Sequence, residues 1–133
     1  MYRITVTDEQ FRCLKIALED YFRLRMGQFM DYTDDLTLAC LPPNPSKEEF
    51  NDAINRRNDA KMMFEYAFRH FVNPDYKFET VSQNARICED MWQVIRHQIW
   101  LDSGQQPEWS VDSREPLPVT DRPLIAVERV EDA

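Results

Sequence analysis

Among its 133 residues the chain has two glycines, two histidines and three cysteines. Each shortage closes off a class of chemistry. Phosphate-cradling loops need clustered glycines so that backbone can approach the ligand. Gly27 and Gly104 lie far apart, so P-loop and dinucleotide-fingerprint readings fall. A metal centre needs several ligands converging at short spacing. His70 and His97 fall on different predicted helices and no C-x-x-C pair occurs, so neither a metal nor a cofactor is expected. Cys13, Cys40 and Cys88 are odd in number and scattered, which fits reduced cytosolic thiols better than a disulfide framework. No G-x-S-x-G or H-E-x-x-H motif is present. Cys88 and His97, if helical, stand about 13.5 Å apart along the axis, too far for a nucleophile and its base. No catalytic residue is assigned, and the expectation is a protein that is not an enzyme. No run approaches the ~20 apolar residues of a membrane helix, and the opening M-Y-R-I-T-V has no signal-peptide character. A cytoplasmic location is expected.

What the chain does contain is apolar and acidic material. Hydrophobic residues make up 43% and aromatics 12%, enough to drive a cooperative fold. The formal net charge is −8, which opposes direct binding to DNA because a phosphate-backbone partner needs a basic face. Excess negative charge serves first to keep a surface solvated. An acidic face that imitates nucleic acid, or that docks on a basic protein, is the sharper alternative.

Along the chain, Tyr2 to Val6 alternates in the manner of a short strand. Thr7-Asp8-Glu9-Gln10 then offers a capping box. Phe11, Leu14, Leu18, Tyr21, Phe22, Phe29, Tyr32 and Leu36 recur at helical spacing, which predicts one long helix from about Asp8 to Leu38, kinked or closely crossed at Gly27. Pro42, Pro43 and Pro45 stop it. Ser46 and Glu49 form a second capping box for a helix from Lys47 to Val72. Ser82 opens a third, ending near Leu101 with Gly104 as its cap. Glu108–Val111 and Leu124–Val130 are strand candidates among prolines. The expected fold is α+β, mainly α, with about three helices packed on a small sheet of N- and C-terminal strands. It forms a single domain, 1–133, with a helical core to 101 and a Pro-containing tail over 102–133.

Candidate binding residues lie on two of these helices. Tyr21, Arg25 and Gln28 can share or border one face, and a guanidinium among aromatics needs a carboxylate, a stacking ring or an anionic ligand. Gln93, Arg96 and His97 place polar groups in an apolar helix. These six are the candidate lining of a site for a small anionic ligand such as a nucleotide, whether the Arg25 and His97 positions form one site or two. The bland account pairs Arg25 with an internal carboxylate and gives His97 a backbone carbonyl. Trp92 and Trp100 lie on nearly one side of their helix. With Phe64 and Phe68 they are the expected anchors of a homodimer interface, the alternative being a tail that wraps over them.

Three runs occur in order: D-Y-F-R-L-R-M-G-Q-F from Asp20 to Phe29, W-Q-V-I-R-H from Trp92 to His97, and E-P-L-P from Glu115 to Pro118. This set resembles a group of small proteins of tailed bacteriophages and prophages. The resemblance brings no established activity with it. It implies the bacterial host cytoplasm as the setting and a phage accessory protein that binds a host component, such as a nucleotide-type signal of host defence. The alternatives are an acidic protein–protein inhibitor or nucleic-acid mimic, and a virion structural or assembly protein.

Overall fold

The computed structural model describes residues 1–75, 77 and 81–131. Among them are four α-helices: α1 (Asp8–Arg25), α2 (Met30–Leu36), α3 (Lys47–Ala67) and α4 (Gln83–Asp102). Short 3-10 turns cover Leu38–Cys40 and Val111–Ser113, and a π-turn, Phe68–Val72, follows α3. No helix among the described residues is long and apolar enough to cross a membrane. The chain groups into two compact units, Met1–Phe22 with Ser82–Ala133, and Arg23–Val81.

The helix starts follow the capping residues. The Gln10 amide donates to the Thr7 hydroxyl at 3.2 Å, and the Thr7 amide donates to the Gln10 side chain at 2.9 Å. Ser46 and Glu49 make the same reciprocal pair at 3.1 and 2.7 Å. Ser82 caps α4 by accepting from the Ala85 amide. Each bond satisfies an amide that the first helical turn leaves without an internal partner.

The helix ends correct one expectation. The predicted helix from Asp8 to Leu38 is broken into α1 and α2 by Gly27, whose φ is +73°. The Gln28 amide donates to the Arg23 carbonyl at 2.8 Å and the Gly27 amide to that of Leu24 at 3.1 Å. These are the two bonds of a Schellman cap, which needs a left-handed residue at its corner. Gly104, with φ +78°, ends α4 in the same way, the Gln105 and Gly104 amides donating to the Trp100 and Leu101 carbonyls at 3.2 Å. Both glycines of the chain therefore do one job. A Cβ on Gly27 would sit 2.7 Å from the Phe68 ring, so that site excludes a side chain by space as well as by backbone angle.

In the unit Arg23–Val81, α2 packs on α3. Phe29 is buried against Phe64 and Phe68, with ring centroids 5.7 and 5.9 Å away, and Tyr32 meets Phe64 at 6.0 Å. Thr33 and Ala53 are fully enclosed. The Thr33 hydroxyl donates within its own helix, to the Phe29 carbonyl at 2.8 Å, which allows a polar residue to be buried without an unmet bond. Arg57 of α3 reaches Asp34 of α2 at 3.2 Å.

The other unit holds α1, α4 and the tail, and here the expected sheet is absent: no strand forms among the described residues. Tyr2 and Ile4 do alternate, but both stand out in solvent at 97% and 79% exposure, because no second strand lies alongside to pair with them. The segments 108–111 and 124–130 do not pair with them or with each other. Pro107, Pro116, Pro118 and Pro123 supply no amide donor to a ladder, and several of the tail's other backbone groups are bonded by side chains of α4. The core is small and aromatic: Phe22 meets Trp92 edge-on at 5.3 Å, beside buried Ala85 and Ile95.

Candidate functional site

Three of the four buried polar residues among the described residues lie on α4. Asp90, Gln93 and Arg96 follow one another at intervals of three and are all buried, at 4, 7 and 4% exposure. Three residues advance an α-helix by slightly less than a turn, so they form a row along one side, and His97 adjoins Arg96. What they bind is the chain's own tail. The Gln93 amide donates to the Leu117 carbonyl at 2.7 Å and accepts from the Leu117 amide at 2.7 Å, pairing with that residue as a neighbouring strand would. The Asp90 carboxylate accepts from the Val119 amide at 2.7 Å and from the amide and hydroxyl of Thr120. Arg96 donates to the carbonyls of Val111 and Arg114. His97 Nδ1 lies 3.0 Å from the Asp112 carbonyl; a carbonyl can only accept, so that nitrogen carries the proton. The Trp100 indole donates to Pro107 at 2.7 Å, its ring stacked on His97.

Arg96 is held under tension between burial and charge. Its guanidinium lies 5.2 Å over the Trp92 ring. Burial pulls its pKa below the usual arginine value, while the Asp112 carboxylate opposes that fall. Its Nε is buried with no hydrogen-bond partner among the described residues, as is the Ser110 hydroxyl. Arg129 closes the arrangement near the end of the tail, pairing with Asp8 at 3.3 Å and Asp102 at 3.1 Å. Those carboxylates, Asp8 first, raise its pKa.

The six expected ligand-binding residues fall in both units. Gln93, Arg96 and His97 hold the tail. Tyr21 is 40% exposed on the same unit's α1. Arg25 and Gln28 belong to the other unit and are exposed. The arginine that finds carboxylate and amide partners there is Arg23, at 2.6 Å from Asp31 and donating to Gln28 at 2.9 Å. The Arg25 side chain has no ion pair or hydrogen bond among the described residues. Of the expected interface anchors, Trp92 is buried on Phe22, with its indole donating to Glu19 at 3.2 Å. Trp100 and Phe68 are half-buried and Phe64 is 38% exposed. Phe64 and Phe68 pack on Phe29.

Sequence reasoning missed the outward side of α3. Met62, Met63 and Tyr66 are 67, 71 and 57% exposed, and Phe71 and Val72 of the π-turn 75 and 71%. Tyr66 gathers the His70 ring at 4.3 Å and the Phe71 ring at 6.0 Å. The signal was present as apolar residues off the Phe64–Phe68 stripe, which core packing does not use. A hollow of about 490 Å³ lies at the start of α3, lined by Lys47, Glu48, Asn51, Asp52 and Asn55. All five are exposed, so it excludes little water and focuses no field.

No group of three or more His, Cys, Asp or Glu side chains among the described residues is placed to hold a metal ion. Comparison of the chain with protein-family models, curated proteins and solved structures gave no match.

Proposed function

We propose that the protein is a non-enzymatic accessory protein that works by binding another protein, and that the outward side of α3 with its π-turn is the contact surface. One observation carries this reading: Met62, Met63, Tyr66 and Phe71 remain more than half exposed on one short stretch of chain. Contiguous exposed apolar area of this kind marks contact sites on soluble proteins. Methionine adapts its shape to a partner, and tyrosine is enriched among interface anchors. The case for a nucleotide pocket on α4 weakens, because Gln93, Arg96 and His97 already bond the tail.

A photo-crosslinking residue placed at Met63 or Tyr66 in producing cells tests the reading. Discrete protein adducts are expected there and not at exposed Arg12 on α1, and Tyr66→Glu should abolish the Met63 adduct. Equal labelling from Arg12, or no adduct at either α3 position, would remove the proposal. Adducts confined to capsid components would move the role to virion assembly.

A further inference from the structure

The outward side of α3 has a repeat that core packing does not explain. On α3 itself Asn55, Asp59, Met62 and Tyr66 are spaced four, three and four residues apart, Arg69 follows three residues on in the π-turn, and every one is exposed. That alternation is the seam pattern by which one helix packs along another. Its centre, Met62 and Tyr66, is apolar, with Asp59 before it and Arg69 after it carrying opposite charge. The flanking ions are already matched within the helix, Arg56 with Asp52 at 3.1 Å and Lys61 with Glu65 at 2.9 Å. The side chains of Asp59 and Arg69 have no ion pair or hydrogen bond among the described residues.

We infer that the stripe is the interface of a twofold dimer in which α3 packs antiparallel on α3 of a second copy. This rests on the reading of that side as a contact surface, and names its occupant. A twofold axis beside position 64 sets Met62 against Tyr66 of the second copy and Asp59 against Arg69 of the second copy. Because the contact is isologous, each pairing occurs twice. A parallel pairing in register would instead set like charge against like. The area is also sufficient. Met62, Met63, Tyr66 and Phe71 are 67, 71, 57 and 75% exposed. At roughly 200 Å² for a fully exposed large side chain, they offer about 540 Å² per copy. Two copies and the flanking Asn55, Asp59 and Arg69 bring the total into the ~1,200–2,000 Å² of specific interfaces.

Charge reversal on the full-length protein, read by sedimentation or light scattering, decides it. The unaltered chain should show twice 15.9 kDa at micromolar concentration. Asp59→Arg and Arg69→Asp should each weaken the dimer at least tenfold at low salt. Mixing the two single variants should restore it to within about threefold, since one copy then presents two arginines to the two aspartates of the other. Circular dichroism confirms that the variants keep their helices, and Met62→Glu supplies an independent disruption. A monomer up to ~100 µM, or a dimer indifferent to the reversals, or mixed variants that stay apart, would overturn the inference. A monomer whose Tyr66 crosslinker captures only a different protein sinks the second-copy inference and leaves the docking surface standing. A monomer with no adduct removes both.

Discussion

Gly27 and Gly104 sit in the same cap with the same left-handed backbone, yet their surroundings differ, and that difference is measurable. Around Gly104 a Cβ would meet nothing within 4 Å, whereas at Gly27 it would meet the Phe68 ring at 2.7 Å. Gly104→Ala should therefore cost only the left-handed penalty, about 1 kcal/mol. Gly27→Ala should cost more, about 2–3 kcal/mol, since the Phe68 ring must also give way in a packed site. Urea denaturation of the two variants checks the order, and equal losses would mean that the ring moves freely. Cys88 gives a second test at this scale. Burial raises its thiol pKa above the ordinary 9.0, so the folded state holds its proton when the unfolded state has begun to lose it. That linkage costs nothing well below pH 9.0 and lowers stability as pH rises through that value. Cys88→Ala should flatten this alkaline decline in a pH series of melting curves, and an identical decline would assign it to other groups. In the folded protein Cys88 should also react more slowly with a thiol reagent than exposed Cys13 and Cys40.

At the scale of elements, local signals were easy to read and pairing partners were not. The capping residues Thr7, Ser46 and Ser82 mark three of the helix starts, because a cap is decided by three or four adjacent residues. Ser46→Ala should accordingly destabilise the fold by about 1 kcal/mol, with the loss visible as faster amide exchange in the first turn of α3. The end of α1 was misread because apolar spacing continues past Gly27, and a left-handed corner leaves no mark on periodicity. The strands were misread for a different reason. Tyr2–Val6 has a strand's alternation, but a strand exists only where another supplies its bonds, and that is a long-range fact. The tail's bonds come instead from Asp90, Gln93 and Arg96. Gln93 and Arg96 stand out in the sequence as polar groups in an apolar helix, but Asp90 does not, because beside Glu89 in an acidic chain it looks like one more solvated carboxylate. Likewise Phe64 and Phe68, expected as interface anchors, pack on Phe29, while Met62 and Tyr66 stand off that stripe as apolar residues whose exposure only the packing of α2 on α3 decides.

At the scale of the whole molecule, the tail is part of the fold. Its removal would uncover a buried carboxylate, amide and guanidinium on α4 together, and buried polar groups without partners cost about 1–3 kcal/mol each. A chain ending at Gln106 should therefore lose cooperative unfolding or melt far below the full-length protein. Asp90→Asn is the milder test. It should speed exchange of the Val119 and Thr120 amides, which Asp90 accepts, and leave the capping turns of α3 unchanged.

The way α4 grips the tail has a consequence for how the sequence can change. Gln93, Arg96 and His97 bond carbonyls and an amide of the tail's main chain, groups common to nearly every amino acid. The tail's side chains face outward at several of these points, with Leu117 76% and Val119 42% exposed. Substitutional drift should therefore be lopsided: a saturation scan should find positions 90, 93 and 96 intolerant and position 117 permissive, save for proline, which would remove the amide that Gln93 accepts. The same asymmetry makes that stretch of tail a place where foreign residues can be displayed without retuning the helix beneath.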